Sequence, residues 1–341
     1  MKNSENLIYA PVLIPTLNRF EHFVRCLESL EECTGAEKTD VYVALDYPPS
    51  EHYREGWKRI DAYLHEKENN NGFNHLIVYR RETNYFFSGK GNLTTAIKDL
   101  PECIDRYILS EDDNVFSPNF LEFINKGLER FKGDDSILAI CGYSHPYNVN
   151  FSDNNYFLQN VDFSAWGYGI WRDKSRTYRN VISQSYFKKK MRKWDNIRKL
   201  KRNGLNRLIL AIRYAMIEEN IPFSDNTLSV YMALEDMNVV MPRITKVRNT
   251  GWDGSGIHCD DGSLSAIHNE REIDTANSFE YSGDGMAFYD ENKKIFVSSS
   301  YARCSYVHFF WQLIKCCVKY FLRKIRVRGT DAPLLPGHKI L

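Results

Sequence analysis

The sequence lacks an excess of charge of either sign, and this absence argues against one large class of function. Its 341 residues contain 45 Lys and Arg against 44 Asp and Glu, which gives a formal net charge of +1 at pH 7. Proteins that bind nucleic acid usually carry a basic patch or field, because contacts to phosphates supply much of their affinity. We therefore expect no nucleic-acid partner.

The chain also lacks long apolar runs, a signal-peptide pattern and cysteines at metal-site spacing. No stretch reaches about 18 apolar residues, the length needed to span a membrane. Residues 1–6 are polar, with no apolar segment behind them. The eight cysteines are scattered apart from the adjacent Cys316-Cys317, and they are expected to be reduced and buried. These features predict a globular cytoplasmic protein without repeats or low-complexity linkers.

The first half of the sequence contains short apolar runs that alternate with amphipathic segments. The runs have the length of strands, and the segments between them place apolar residues at helical spacing. The strand candidates are 7–14, 40–46, 75–80, 107–109 and 137–141, and the helix candidates are 20–30, 51–65, 93–99 and 120–131. In the less regular second half, Ser224-Asp225 precedes a predicted helix and a strand at 237–241. The alternation predicts an α/β fold, a doubly wound and mostly parallel sheet flanked by helices.

Three consecutive acids, Glu111, Asp112 and Asp113, follow the fourth predicted strand. Open α/β sheets bind ligands at the carboxyl ends of their strands. Carboxylates, together with substrate phosphates, are common ligands of Mg²⁺ and Mn²⁺. The triplet therefore indicates a site for a metal and a nucleotide diphosphate. The alternative is a charged turn before the next helix, for which Ser117 and Pro118 predict the N-cap and first turn.

Two later stretches could line the same site. Residues 163–171 mix large aromatics with glycines and include Trp166-Gly167-Tyr168. Such a stretch suits a wall facing a sugar, and a packed aromatic turn is equally common. Residues 249–258 form a glycine-rich loop that ends in His258. This histidine is a candidate ligand of the metal or a structural residue.

A strongly basic segment lies in the second half of the chain. Its nine cations are Lys188, Lys189, Lys190, Arg192, Lys193, Arg198, Lys199, Lys201 and Arg202. A solvated helix face accounts for this composition, and so does contact with phosphates or anionic lipid. The sequence alone leaves both interpretations open.

Near the C-terminus, apolar and polar residues separate onto two faces of a predicted helix. The apolar ones are Val307, Phe310, Trp311, Ile314, Val318, Phe321, Leu322 and Ile325, and the polar ones are His308, Gln312, Lys315, Lys319, Arg323 and Arg326. No acid occurs between Glu291 and Asp331. A basic amphipathic helix with Trp and Phe is typical of the surface of an anionic membrane. The alternative is a terminal helix that packs its apolar stripe on the core. Because this segment carries several cations and no acid, the position at a membrane surface is the favoured interpretation.

In the order and spacing of these elements, the chain resembles a GT-A-fold, family-2-like glycosyltransferase that assembles bacterial cell-surface polysaccharides. The matching elements are 10–19, Asp46, 82–92, the acidic triplet, Trp166-Gly167-Tyr168 and 249–258. The triplet is also similar to the Glu-Asp-Asp metal motif of Golgi N-acetylglucosaminyltransferases. The resemblance covers roughly residues 7–260. It implies a catalytic domain over 1–300, with a nucleotide-binding half at about 1–145 and an acceptor half at about 146–300, followed by a basic helix and tail at 301–341.

The resemblance also implies roles for individual residues. Those assigned to the nucleotide sugar and its diphosphate are Pro15, Thr16, Arg19, Asp46, Lys90, Glu111 and Asp112. Asp113 would bind the Mn²⁺ or Mg²⁺ that bridges the phosphates, and His258 would approach that metal. Asp225 is the first candidate for the catalytic base, with Asp236 and Glu235 as second choices.

The activity that the resemblance implies is metal-dependent, inverting transfer of a hexosyl or N-acetylhexosaminyl group, most simply from a UDP-sugar. The acceptor would be a glycan or a lipid-linked oligosaccharide in capsule, lipopolysaccharide or exopolysaccharide synthesis, at the inner face of the cell membrane.

Three other classes of protein share some of these sequence features. A sugar nucleotidyltransferase would normally carry a glycine-rich basic loop after the first strand, where this chain has Pro15-Thr16-Leu17-Asn18-Arg19. A non-catalytic glycan-binding protein could use the same fold, but clustered carboxylates repel one another unless a cation joins them. A membrane-associated scaffold that works through its tail would leave the acidic strand end unexplained.

Overall fold

A computed structural model describes residues 7–149, 153–256, 268–299 and 302–329, with side chains up to Ile325 in the last range. The predictions made for residues 1–6, for His258, for the side chain of Arg326 and for the tail after residue 329 lie outside the described residues. Within the described ranges, no helix is both long and apolar enough to cross a membrane.

The N-terminal half alternates strands and helices as the sequence predicts. Its elements are β1 (Val12–Thr16), α1 (Phe20–Glu31), β2 (Asp40–Leu45), α2 (Glu51–Lys67), β3 (His75–Arg80), α3 (Asn92–Asp99), β4 (Arg106–Leu109), β5 (Asn114–Phe116), α4 (Phe120–Arg130) and β6 (Ile137–Cys141). Four of these strands, β1, β2, β4 and β6, are largely buried, which removes their apolar side chains from water, whereas the edge strand β3 is only partly buried.

The C-terminal half adds strands to the sheet and a block of helices. Its elements are β7 (Tyr156–Gln159), β8 (Tyr168–Trp171), α5 (Arg172–Val181), α6 (Gln184–Met191), α7 (Trp194–Arg202), α8 (Leu205–Met216), α9 (Asp225–Glu235), β9 (Asn238–Pro242), β10 (Val247–Asn249), α10 (Gly285–Ser298) and α11 (Tyr306–Gly329). The basic segment thus forms the helices α6 and α7 and the turn between them.

The main sheet has eight strands in the order β3-β2-β1-β4-β8-β6-β9-β7. The first four are parallel, and β6 and β9 are also parallel. Strands β8 and β7 are antiparallel to their neighbours. A second sheet pairs β5 with β10. The predicted fold class is confirmed: a doubly wound α/β sheet flanked by helices, with a basic helical insertion and a C-terminal amphipathic helix.

The core lies on both faces of this sheet, as the alternation of side chains along a strand requires. In β1, Val12 and Ile14 pack with α1, α2 and α4, whereas Leu13 packs on the opposite face with α3 and the second-half helices. In β6, Ile137 and Ile140 share a face because the register with β9 shifts between Ile137 and Ala139. Both faces of β1 and β6 are therefore covered by protein, so a ligand can reach these strands at their ends.

Two predicted boundaries were wrong. The first strand runs from Val12 to Thr16 rather than over 7–14. It can include Pro15 because β4 pairs only with Val12 and Leu13, so no ladder bond to β4 is lost there.

The helix expected to start at Ser117-Pro118 begins instead at Phe120. Ser117 is fully buried, and its N–H donates to the carbonyl of Lys246 at 2.9 Å. Its hydroxyl donates to Asn119 Oδ1 at 3.0 Å. Ser117 therefore continues the contact between β5 and the chain before β10, and it does not cap α4.

Candidate active site

The carboxyl ends of the parallel strands bring the predicted polar residues to one edge of the sheet. Strand β1 ends at Thr16, Asp46 directly follows β2, and the acidic triplet follows β4 by one residue. Ser110 keeps the chain in register with β1, because its N–H donates to the carbonyl of Leu13 at 3.0 Å. The triplet leads into a strand, β5, and not into a helix. The alternative reading as a helix-capping turn is therefore wrong.

Arg19 joins two of the three acids. Its Nη1 lies 2.8 Å from Asp113 Oδ2, and its Nη2 pairs with Asp112 Oδ1. Thr16 Oγ1 donates to the other oxygen of Asp112 at 2.9 Å. Burial opposes the charged form of Arg19, but the two carboxylates raise its pKa above the usual value. The planar guanidinium can bridge both acids at once, which a lysine could not do as well.

The loop after β10 completes the surroundings of Asp113. Asn249 is paired with Asn114 in the small sheet, and its Nδ2 donates to Asp113 Oδ1 at 2.6 Å. Thr250 donates to the Asp113 carbonyl through its N–H at 2.8 Å and its hydroxyl at 2.9 Å. A Cβ on Gly251 would lie 2.0 Å from Asp113 Oδ2. Only glycine lets this backbone lie against the carboxylate.

Glu111 is exposed to solvent, and it lies near other acids. Desolvation and the charges of Asp113, Asp225 and Asp112 raise the pKa of its carboxyl well above the usual value. Desolvation also raises the pKa of Asp113, against the opposing effect of Arg19. Carboxylates that destabilise one another in this way favour a bound cation.

Asp225 comes from a distant part of the sequence, and its charge helps to raise the pKa of Glu111. It is the first residue of α9, and Ser224 caps this helix by accepting from the N–H of Thr227. Asp225 Oδ2 accepts from the N–H of Ala165 at 3.3 Å. Burial raises its pKa to about 6. A carboxyl with a pKa near the operating pH suits a general base.

The two second choices for the base lie at the other end of α9, which is roughly 16 Å away at 1.5 Å per residue. Glu235 pairs with Lys190 at 2.6 Å and accepts from Tyr186 Oη. Asp236 pairs with Lys199 at 2.6 Å. Two cations of the basic segment therefore neutralise this end of α9. The structure does not bring Glu235 or Asp236 to the acidic triplet.

Asp46 is buried, and its carboxylate organises the loop that follows β3. It accepts from the backbone N–H groups of Tyr47 (2.9 Å), Tyr85 (2.8 Å) and Phe86 (2.9 Å). The loop carries Lys90, which is exposed and lies 4.8 Å from the ring centre of Tyr85. Asp46 thus holds the loop that presents Lys90 at this edge of the sheet.

The predicted aromatic wall is part of a cluster of rings beside the site. Trp166 is partly exposed and packs edge-on to Tyr143 (4.6 Å between centroids) and His268 (5.1 Å). His268 stacks on Trp252, with centroids 4.5 Å apart. Tyr168, by contrast, is buried in β8. Of this wall, Trp166 is the partly exposed ring and Tyr168 is core.

The donor atoms fit a hard divalent ion that takes its remaining ligands from phosphate and water. Asp113 accepts from Arg19 and Asn249, but a carboxylate offers about four lone-pair positions, so it keeps capacity for a metal. In the described part of the chain, no three His, Cys, Asp or Glu side chains are grouped as a metal site. Mg²⁺ often binds one or two carboxylates plus substrate phosphates. The nucleotide diphosphate would therefore complete the coordination.

The sequence did not predict that Asn249 contacts Asp113, and it did not predict that His22 contacts the glycine-rich loop. His22 is buried; its Nε2 lies 3.2 Å from the carbonyl of Thr250 and 3.1 Å from Asp253 Oδ2. It ties α1 to the glycine-rich loop. A histidine on the buried face of a helix gives no signal of such a contact, since its partners come from more than two hundred residues further along the chain.

Comparison with known proteins gives a likeness of fold. No protein-family model matches the sequence, and no curated protein matches it. The structure of residues 1–349 of S. aureus TarS is 15% identical and covers 51% of this chain and 50% of its own, with a TM-score of 0.36. The mannosyltransferase PcManGT from Pyrobaculum calidifontis, in complex with GDP-Man and Mn²⁺, is 12% identical and covers 69% of this chain and 73% of its own, with a TM-score of 0.38.

The chain thus spans about half the length of the first of these structures.

Proposed function

We propose that this chain is a glycosyltransferase. It would transfer a hexosyl or N-acetylhexosaminyl group from a nucleotide-diphosphate sugar to a hydroxyl of a glycan acceptor. The first candidate for the donor is a UDP-sugar. The observation that supports this function is that Asp225, a carboxyl with a raised pKa, lies close enough to Glu111 of the acidic triplet for its charge to raise the pKa of Glu111. A general base and a site for a diphosphate are the two parts that the reaction requires.

The reaction follows from these two parts. An acceptor oxygen attacks the anomeric carbon, while the bond from that carbon to the diphosphate oxygen breaks. Asp225 accepts the proton of the attacking hydroxyl, a role that typically contributes about 10²–10⁴-fold to the rate. Positive charge develops at the anomeric carbon, as it does in glycoside hydrolysis. A single in-line displacement of this kind inverts the anomeric centre.

The residues at the ends of β1 and β4 would bind the donor. Thr16 and Arg19 fix the two oxygens of Asp112, so that this carboxylate can accept from hydroxyls of the ribose or the donor sugar. Pro15 and the loop held by Asp46 would line the nucleotide pocket, with Lys90 toward the diphosphate.

Asp113 would hold the divalent ion, either Mn²⁺ or Mg²⁺, with Glu111 nearby. When bound, the ion supplies Lewis-acid stabilisation of the negative charge on the departing diphosphate. Arg19 and Asn249 keep the Asp113 carboxylate in one orientation, so its free lone pairs point to a fixed position.

The acceptor is proposed to be a glycan or lipid-linked oligosaccharide of a surface polysaccharide, at the inner face of the cell membrane. The exposed apolar stripe of α11 supports this location.

Calorimetric titration tests the donor site. The protein is titrated with UDP, GDP and CDP, each with Mn²⁺ and with EDTA. We expect one nucleotide to bind far more tightly with the metal. Asp113→Asn should abolish the metal-dependent part of the binding, because the amide has lost the anionic ligand. Asp290→Asn, which changes an exposed acid on α10, is the matched control.

Binding that is equal with and without the metal in the wild-type protein would refute the metal site. Absence of binding to every nucleotide would refute the transferase and leave a glycan-binding protein on this fold. If one nucleotide does bind, slow hydrolysis of the corresponding nucleotide sugar, measured as release of the nucleoside diphosphate, would show that the site activates the donor.

A further inference from the structure

The last described helix, α11, packs on the protein with one stripe and exposes another. Phe309 and Cys316 are buried, and Leu313 packs against the core next to α8. Eight apolar residues remain between 51% and 81% exposed: Val307, Phe310, Trp311, Ile314, Val318, Phe321, Leu322 and Ile325. At 100° per residue, the exposed stripe is centred roughly 150° around the helix from the packed one. The apolar stripe predicted from the sequence is therefore not the one that docks on the core.

Cations flank the exposed stripe. Lys315, Lys319 and Lys324 are exposed on the same helix, whereas Arg323 donates to the carbonyl of Ile217 and lies 4.0 Å from Glu219 Oε1. Lys315 lies 5.3 Å from the ring centre of Trp311. No acid occurs in the sequence between Glu291 and Asp331. A second copy of the chain would bring like charges together across a two-fold interface. An anionic surface complements them.

A cavity of about 360 Å³ lies at the N-terminal end of α11. Three of its lining residues are cations, Lys201, Arg202 and Arg303, and no lining residue is acidic. Ser305 and Tyr306, at the start of α11, also line it. Ser305 Oγ accepts from the N–H of His308 at 3.1 Å, so it caps the helix. The positive end of a helix and three cations together favour an anion such as a phosphate.

The cavity belongs to a defined part of the fold. The turn at Gly204 approaches the chain at Ala302 so closely that a Cβ on Gly204 would lie 2.0 Å from the Ala302 carbonyl. The N–H of Asn206 donates to the same carbonyl at 3.3 Å. These contacts hold the end of α7, which carries Lys201 and Arg202, beside the start of α11. The cavity therefore adjoins the start of the helix that carries the exposed stripe.

We propose that this surface, the exposed stripe with the adjoining cavity, docks on a membrane of anionic phospholipid. The exposed stripe of α11 enters the boundary between headgroups and acyl chains, and the cavity receives the phosphate of one headgroup. A single amphipathic helix gains affinity from its apolar area and from attraction to anionic lipid. The inference rests on the proposed location at a membrane, and it does not depend on the proposed reaction.

Vesicle flotation tests the proposal with the full chain. We expect the wild-type protein to float with vesicles of phosphatidylcholine and phosphatidylglycerol. Its affinity for vesicles of phosphatidylcholine alone should be at least about tenfold weaker, since several cations near the surface each contribute. High salt should weaken the binding to the anionic vesicles, because it screens these charges.

Two double variants separate the parts of the surface. Phe310→Ser with Phe321→Ser should remove binding to both kinds of vesicle. Arg202→Glu with Arg303→Glu should remove most of the preference for phosphatidylglycerol. The matched controls are Ile244→Ser, which changes an exposed apolar residue elsewhere, and Lys98→Glu on α3. Both controls should bind vesicles as the wild type does.

Three results would overturn the proposal. The wild-type protein could fail to float, or it could bind both vesicles equally well with no effect of the cavity variant. A concentration-dependent dimer abolished by Phe310→Ser with Phe321→Ser would instead make a second copy the occupant of the stripe. Metal-dependent nucleotide binding, measured without vesicles, should be unchanged in all four variants. A failure of membrane docking is thereby distinguished from a failure of the proposed reaction.

Discussion

At the scale of single residues, the site depends on carboxyl groups in different surroundings. Asp112 and Asp113 are paired with Arg19, whereas Asp225 has a single described hydrogen bond from a backbone N–H and a pKa raised to about 6 by burial. When different surroundings shift the pKa values of neighbouring acids apart, those acids commonly have different catalytic roles. In the proposed reaction, the paired acids would bind the donor and Asp225 would exchange the proton.

The pKa of Asp225 predicts the pH dependence of transfer. A base works in its deprotonated form, and this form increases as the pH rises through about 6. We therefore expect the initial rate of nucleotide release to rise with pH below 6 and to level off above it. Asp225→Asn should leave donor binding intact and lower the rate by about 10²–10⁴-fold above pH 6, where the wild-type base is deprotonated, and the difference from the wild type should shrink as the pH falls below 6.

Asp236→Asn is the matched control, at the opposite end of α9. Asp236 has a φ of 56°, a left-handed conformation that asparagine also tolerates. This variant should retain the wild-type rate and pH profile. Loss of transfer in Asp236→Asn with normal transfer in Asp225→Asn would move the base to the far end of the helix.

At the scale of elements, the small sheet of β5 and β10 connects two distant parts of the chain at the site. The pairing of Asn114 with Asn249 places the next residues, Thr250 and Gly251, against Asp113. The carboxylate is thus enclosed by a loop about 135 residues further along the chain. The geometry of this loop should control the position of the donor.

Gly251→Ala tests this role. Its Cβ would lie 2.0 Å from Asp113 Oδ2 and 3.0 Å from Arg19 Nη1, so the carboxylate or the loop must shift. A displacement of about 1 Å at a reacting site can cost roughly 10²-fold in rate. We expect a loss of that order in transfer and weaker metal-dependent nucleotide binding, measured by rate assays and calorimetry.

Gly254→Ala in the same loop is the comparison variant. A Cβ there would meet no atom within 4 Å, although the φ of 79° makes alanine strained. It should change stability slightly and leave the rate close to that of the wild type. Equal losses in the two variants would show that loop strain, and not contact with Asp113, is responsible.

At the scale of the whole molecule, a buried ion pair joins the helical insertion to the sheet. Arg207 on α8 donates to Asp162 Oδ1 at 2.6 Å and to the carbonyl of Val161 at 2.8 Å. His145 Nε2 lies 3.1 Å from the other oxygen of Asp162. Burial would raise the pKa of Asp162, but His145 and Arg207 lower it below the usual value. Asp162 is therefore charged in the folded protein.

Arg207→Leu should strongly destabilise the fold. It leaves the charge of Asp162 buried with one partner fewer, and such a change costs about 3–5 kcal/mol. The free energy of unfolding from urea titration would measure the loss. Arg213→Leu, on the same helix, removes an exposed pair with Glu218 and should cost less than about 1 kcal/mol. Similar losses in both variants would contradict the role given to the buried pair.

The sequence by itself determined the elements that depend on local spacing. The alternation of strands and helices, the acids after β4, the Ser224 cap of α9 and the amphipathic character of α11 follow from the periods of a strand and a helix. Those periods are properties of neighbouring residues, so they can be read without the fold. Because the carboxyl ends of parallel strands lie at one edge of a sheet, the sequence also predicted that Thr16 and the acidic triplet lie together, and Thr16 does contact Asp112.

Only the tertiary structure decided which distant residues meet. Strand β8 lies antiparallel between β4 and β6, Asn249 contacts Asp113, and Glu235 and Asp236 face the lysines of the insertion. The packed and exposed stripes of α11 are both apolar, so composition could not say which one contacts the core. These contacts form between residues that are far apart in the sequence. Burial of their side chains stabilises the fold only when those residues come together, so local spacing does not predict them.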